Sequence, residues 1–245
     1  MSEAIPGNAD VPVGMHAEKP TETPPLTDVP RKGWYSRGYL PHRDEAHLLQ
    51  SITFRLADSL PQKKLKELEA HLETLSEERR ETEKRQRIEA WLDAGMGCCA
   101  LRHSHVARHV QDSLLHFHGQ RYDLHAWCIM PNHVHTLVKP ITPISTIVQG
   151  WKSFTARWVL AQNAKLKLGI PGEHFWMRDY WDRFIRDERH YAKVIEYIHE
   201  NPVKAGLCAH AGAWEWSSFN WMKADGDVGV PRWMKADNNA GVSKE

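Results

Sequence analysis

Three histidine pairs of the form H-x-H occur in this chain, His103/His105, His116/His118 and His133/His135, and each has the residue types to hold a divalent cation. With sixteen histidines in all, the spacing by itself does not choose among them. Conformation does. On a strand, residues i and i+2 face the same side, whereas on a helix they lie about 200° apart. His103/His105 and His116/His118 fall at the ends of a segment whose Val106, Val110, Leu114 and Phe117 recur at helical spacing, which predicts a helix over about Ser104 to Phe117. His133/His135 belong to HVHTLVKP, the second of two β-rich runs; the first is RYDLHAWCIM, and Pro131 and Asn132 between them predict a tight antiparallel turn. Only this pair projects two imidazoles together, with Val134 on the opposite side.

A further ligand for such a cation must come from elsewhere in the chain, and one is offered by the last predicted helix, about Asp187 to Glu200 and stopped by Asn201-Pro202. Tyr191, Val194, Ile195 and Ile198 make its core stripe. Tyr197 falls off that stripe, on a face shared with Lys193, Glu200 and Asn201, so Tyr197 and Asn201 project side by side one turn apart. Tyr191, by contrast, sits on the core stripe, and Tyr180 lacks an adjacent ligand. In FWMRDYWDRF, Trp176, Tyr180 and Trp181 are candidates to stack on unpaired bases while Arg178 and Arg183 meet phosphates, with core packing as the competing role of the aromatics.

The elements that position these groups follow from pattern. HLLQSITFRLA, residues 47–57, reads as a strand. From Pro61 to Leu92, Leu65, Leu68, Leu72 and Leu75 form one narrow apolar stripe among dense charge, a surface helix or helical hairpin ended by GMGC. Pro143 opens another helix containing WKSFTARWVLAQ. Strand, helix, two strands and helices predict an α+β fold with an antiparallel sheet flanked by helices. Residues 1–33, with six prolines and almost no aromatic side chain, predict a disordered leader. Residues 220–245 form a tail with a short WMKAD repeat.

Charge is nearly balanced, 32 Lys and Arg against 31 Asp and Glu. Residues 101–207 carry fourteen basic and nine acidic side chains, a local excess that suits an anionic partner as well as a solvated face. The four cysteines, Cys98, Cys99, Cys128 and Cys208, show neither C-x-x-C nor disulfide spacing and predict reduced thiols in a cytoplasmic location. A basic start followed by an apolar run is missing from the N-terminus, and no stretch of about 18 apolar residues occurs, so neither export nor membrane association is expected.

WYSRGYLPH, SITFRLADSLP, LHAWCIMPNHVHTLVKP, WKSFTARW, FWMRDYWDRFIRDERHYAKVIEYIHENPVKAGL and EWSSF, in that order over residues 34–219, resemble the REP-associated tyrosine transposases. These are relatives of the insertion-sequence transposases with a single catalytic tyrosine and a His-hydrophobic-His (HUH) motif. The resemblance implies a ferredoxin-like or RRM-like HUH fold, with His133, His135 and Asn201 on Mg²⁺ or Mn²⁺ and Tyr197 as the nucleophile. It implies cleavage and rejoining of single-stranded DNA at REP-type hairpins through a 5′-phosphotyrosine, by a monomer or homodimer at the nucleoid. The charged helical segment at about 61–93 looks longer than in compact family members. Two alternatives are a non-catalytic DNA hairpin-binding protein and a zinc-dependent hydrolase built on His133, His135 and a cysteine or third histidine.

Overall fold

The structure, a computed structural model, describes residues 33–37 and 40–220. Apart from Gly33, the expected leader lies outside the described residues, as does the WMKAD tail from residue 221 onward. Strands β1 (Gly33–Arg37) and β2 (Leu40–Asp44) pair as an antiparallel hairpin that the sequence pattern did not announce. They are followed by β3 (Gln50–Arg55), α1 (Gln62–Glu73), α2 (Glu77–Asp93), α3 (Ser104–His116), β4 (Tyr122–Ile129), β5 (His133–Pro140), α4 (Ile144–Leu166), β6 (Trp181–Phe184) and α5 (Glu188–Lys204).

The main sheet has four strands in the order β4-β5-β3-β6, every neighbouring pair antiparallel. With α3 leading from β3 to β4 and α4 from β5 to β6, this is the β-α-β-β-α-β order of a ferredoxin-like fold, the α+β class expected. Alternation along the strands divides the sheet into two faces. Ile52, Phe54, Trp127, Ile129, Val134 and Val138 face α3 and α4 and join the larger core. Ala126, Cys128 and Leu137 face α5, where Tyr191 and Ile198 cover them.

A bulge in β4 makes this possible. Leu124 pairs with Val138 and Ala126 with Leu137, so His125 is the extra residue and its two neighbours point to opposite faces. Without it, Leu124 and Ala126 would share a face and the far half of β4 would present the wrong side chains to each core.

Of the two forms expected for the charged segment, a surface helix or a helical hairpin, it takes the second, a hairpin of two helices. The chain leaves α1 at Thr74, whose hydroxyl donates back to the His71 carbonyl at 2.7 Å, and Ser76 is extended before α2 begins. Leu68 and Leu72 of α1 then meet Ile88 and Leu92 of α2 in a small core that Trp181 of β6 joins. One expectation needs correction: α5 does not stop at Asn201-Pro202. It runs to Lys204 with Pro202 inside and buried, even though Pro202 has no N–H for the Ile198 carbonyl. The Asn201 side chain donates to the Tyr197 carbonyl at 2.7 Å on the same side of the helix, and Gly206, at φ +68°, closes the C-terminus as Leu207 N–H reaches the Pro202 carbonyl at 2.8 Å.

Candidate active site

The sequence PNHVH places His133 and His135 at the start of β5, on the face toward α5. Both are buried, at 1% and 3% exposure. Their Nε2 atoms approach to 2.9 Å with the rings perpendicular. The other nitrogen of each ring is held from behind: His133 Nδ1 lies 2.7 Å from Asn132 Oδ1, and His135 Nδ1 lies 2.9 Å from Thr53 Oγ1. An amide oxygen only accepts, so His133 Nδ1 carries the hydrogen and its Nε2 is the bare nitrogen. Asn132 is itself fixed, because its Nδ2 donates to the Met96 carbonyl at 2.9 Å.

That contact explains the GMGC stretch. Gly97, at φ +86°, lies so close to Asp58 that a Cβ would stand 2.7 Å from its carbonyl oxygen, and Cys98 N–H donates to the Asp58 carboxylate at 2.6 Å. The loop is anchored to the end of β3, Asn132 to the loop, and His133 to Asn132.

Burial holds both imidazoles neutral. His135 is brought down to about 4, and His133 goes well below the usual range through burial and the adjacent His135. Neutral, inward-facing Nε2 atoms backed by Nδ1 hydrogen bonds are what a metal-binding histidine requires. The spacing fits as well: six-coordinate Mg²⁺ at roughly 2.1 Å from its ligands sets adjacent ligand atoms about 3 Å apart. Among the described residues no third His, Cys, Asp or Glu completes a ligand group. The remaining positions would fall to an amide oxygen, a phosphate or water.

The other histidine pairs differ as conformation demands. His103 caps the start of α3 and His105 lies in its first turn, their ring centroids 5.3 Å apart. At the far end His116 packs on Phe117 while His118 Nδ1 accepts from Leu124 N–H.

Tyr197 lies against the histidine-bearing side of β5. Its ring meets His135 edge-on at 5.5 Å, and the Lys204 ammonium stands 5.0 Å over its face. It is half-buried at the rim of the α5 core, and Asn201 one turn later is 1% exposed, so the expectation of a fully off-core face is corrected: both point into the fold. Burial raises the Tyr197 hydroxyl above its ordinary pKa, and the carboxylates of Glu89 and Asp93 raise it further; hydrogen bonding to Asn201 opposes them. Glu89 hydrogen-bonds the hydroxyl, and burial holds its carboxyl above the usual range. Both acids come from α2, which brings the charged hairpin over the site.

Other predicted site residues separate. Trp176 and Tyr180, at 7% and 4% exposure, are in the main core; Trp176 packs on Phe54 and donates to Thr155 Oγ1 at 2.8 Å. Neither offers a ring face to a base, which corrects that expectation. Trp181 packs partly into the hairpin core. Arg178 and Arg183 are exposed, Arg183 on the site face of β6 and Arg178 beside the α4 cleft. Tyr191 is buried among the α5 core residues with its hydroxyl pushed up by burial, which leaves Tyr197 as the tyrosine at the histidines.

Sequence reasoning missed Thr53, Asn132, Glu89 and Arg55. Arg55 pairs across the sheet with His133, is buried with its guanidinium 5.8 Å from the Trp181 ring, and is brought down to about 10 by burial, with Asp179 opposing. Asn132 alone had a local signal, as the residue before the first histidine.

Residues 100–201 match the family model described as Transposase IS200 like, a span that holds His133, His135, Tyr197 and Asn201 and omits the helical hairpin. A REP-associated tyrosine transposase of Escherichia coli (strain K12) is 27% identical over 100 residues. Over this stretch the chain is similar to a REP-associated tyrosine transposase. A second relative, from Haemophilus influenzae, is 26% identical over 109 residues. The matches cover 40% and 39% of this chain and 55% and 57% of those proteins, so the chain spans about half the length of the curated relatives it matches. A solved REP-associated tyrosine transposase bound to a REP hairpin aligns at a TM-score of 0.49 and 16% identity, covering 78% of this chain and 86% of that one. No helix among the described residues is long and apolar enough to cross a membrane.

Proposed function

We propose that this protein cleaves and rejoins single-stranded DNA at hairpin sequences through a covalent 5′-phosphotyrosine on Tyr197, with His133, His135 and Asn201 holding Mg²⁺ or Mn²⁺. The observation that carries the reading is the convergence of two neutral Nε2 atoms 2.9 Å apart with Tyr197 against the His135 ring. When bound, the cation would withdraw charge from the scissile phosphate and orient it.

The protein's own groups supply the rest. Tyr197 stays protonated at neutral pH, so its hydroxyl must give up a proton as the oxygen attacks phosphorus. Glu89, already hydrogen-bonded by that hydroxyl, is the acceptor. The transfer also neutralises the carboxylate that would otherwise repel the incoming phosphate. The new bond joins Tyr197 oxygen to phosphorus as the bond to the 3′ oxygen breaks, and the departing 3′ oxygen takes up a proton from water, leaving a 3′-hydroxyl on one DNA end and the 5′-phosphate on the enzyme. Because the linkage remains a phosphodiester, the 3′-hydroxyl can attack it and restore the strand, which water as nucleophile would prevent. Arg183 and Arg178 supply exposed cations for backbone phosphates.

Incubating the protein with a labelled single-stranded hairpin in Mg²⁺ should give a DNA adduct that resists denaturation and maps to the peptide VIEYIHENPVK. Tyr197→Phe should form none while still binding the DNA. Tight hairpin binding without any adduct would favour a DNA-binding role alone. An adduct on Tyr180 or Tyr191 would replace the nucleophile.

A further inference from the structure

The hairpin α1–α2 has no part in the sheet, yet it shapes the approach to Tyr197. Between α2 and the outer edge of the sheet runs a cleft of about 490 Å³. Arg85 of α2 lines one wall and Arg183 of β6 and His190 of α5 the other; Ser51 and Thr53 form the floor and Tyr197 stands in the lining. Thr53 is the residue that holds His135, so the floor of the cleft is continuous with the histidine pair.

The cations in this cleft are only partly compensated. Arg183 is destabilised as a cation by partial burial and then by Arg85 and Arg186; Glu89 counters this only in part. His190 is lowered likewise, after burial, by Arg183 and Arg186. Arg85, an exposed guanidinium, has a loose carboxylate partner in the half-buried Glu89, at 3.8 Å. Such a pair contributes little in water. Guanidinium groups that approach across a cleft repel unless an anion lies between them, and their planar donor forks match phosphate oxygens. The hydroxyls of Ser51 and Thr53 add donors below. Asp182 is the other acid in the lining and stands beside Arg183 in β6. With Lys84, the cationic side chains still outnumber the carboxylates.

We propose that α2 is the second wall of a strand-binding cleft, in which Arg85 and Arg183 together hold the backbone phosphate next to the linkage presented to Tyr197. This rests on the reading of the site as a DNA-cleaving centre. The hairpin, outside the span matched by the family model, then serves substrate binding in addition to covering the site. A phosphate taken between the two arginines also draws Arg85 away from Glu89 and leaves that carboxylate to the Tyr197 hydroxyl.

The test measures binding of a fluorescent single-stranded oligonucleotide with a hairpin to full-length Tyr197→Phe protein, over a range of salt concentration. Arg85→Gln and Arg183→Gln should each weaken binding at low salt and reduce the slope of log affinity against log salt by about 0.7, the value for one lost single-strand phosphate contact. Combining the two should cost less than the sum of the single losses, because they share a phosphate. Arg79→Gln, exposed on α2 but outside the cleft, should leave the slope unchanged. An Arg85→Gln protein indistinguishable from Arg79→Gln, or one that binds more tightly, overturns the proposal, the latter making the hairpin a plug. Adduct formation by unmodified protein is read separately. If no adduct forms but the Arg85 dependence holds, the cleft stands and the catalytic reading fails; an adduct with no Arg85 dependence gives the reverse.

Discussion

Thr53→Val isolates the support of one histidine with little else disturbed. Valine keeps the shape and branching of threonine and suits a strand, so β3 should pair as before. What is lost is the 2.9 Å contact from Thr53 Oγ1 to His135 Nδ1. Its direct contribution to folding is that of one partly buried hydrogen bond, about 1 kcal/mol. For a domain of this size that lowers the melting temperature by only about 2–4 °C. The effect on the metal should be larger. Removing the partner behind a metal-binding imidazole weakens affinity by about 10- to 100-fold, since the ring is no longer held in the tautomer and orientation that aim Nε2 inward. Titration with Mn²⁺, followed by calorimetry or by its electron spin resonance, should show this loss. Adduct formation at limiting metal should fall in proportion and recover near saturation. Unaltered Mn²⁺ affinity together with an unaltered metal dependence of cleavage would show that His135 does not bind through Nε2, and the metal assignment would fail with it.

Acid should destabilise the fold through its buried histidines. His125 and His199 are buried and brought down to about 3 and about 4, so between pH 6.5 and 4 the unfolded chain takes up protons that the folded one refuses. Stability is therefore full above the unfolded histidine value and declines as pH falls toward the folded one; melting temperatures that stay flat from pH 6.5 to 4.5 would contradict this. Gly97→Ala should lower both stability and metal affinity, because a Cβ 2.7 Å from the Asp58 carbonyl displaces the loop that fixes Asn132. Thermal melts and Mn²⁺ titration together check it; a loss of stability alone would uncouple the loop from His133. Asn201→Ala should raise the Mg²⁺ concentration needed for cleavage without abolishing it, because water can occupy one ligand position. Normal cleavage at every Mg²⁺ concentration would remove Asn201 from the ligand set.

The parts of this site legible in sequence are those whose geometry is local. Val134 between His133 and His135 reads as alternation on a strand, and the turn at Pro131 and Asn132 fixes where that strand starts. Tyr197 and Asn201 are neighbours on any helix. By contrast, Thr53 reaches His135 only because β3 lies beside β5, and strand order is not written in either segment. The burial of Trp176 and Tyr180 was hidden because they precede β6 in irregular chain, where no periodicity separates an inward ring from an outward one. The four residues of β6 are too few to show alternation. Glu89 was hidden differently: α2 is charged all round, and nothing in its sequence says which glutamate faces a tyrosine 108 positions later.

The split of the charged segment into two packed helices also bears on how the site comes into being. Thr53 and His135 are 82 positions apart, and the segment between them must be closed before β3 can dock on β5. A hairpin with its own apolar contacts, Leu68 and Leu72 against Ile88 and Leu92, forms from neighbours in the chain and takes up much of that distance as a compact unit. It shortens the effective loop that the central strand pairing has to close. The histidine pair, backed on one side by the β4–β5 turn and on the other by β3, is complete only after that long-range pairing, so a chain halted short of it carries the two histidines without their orientation.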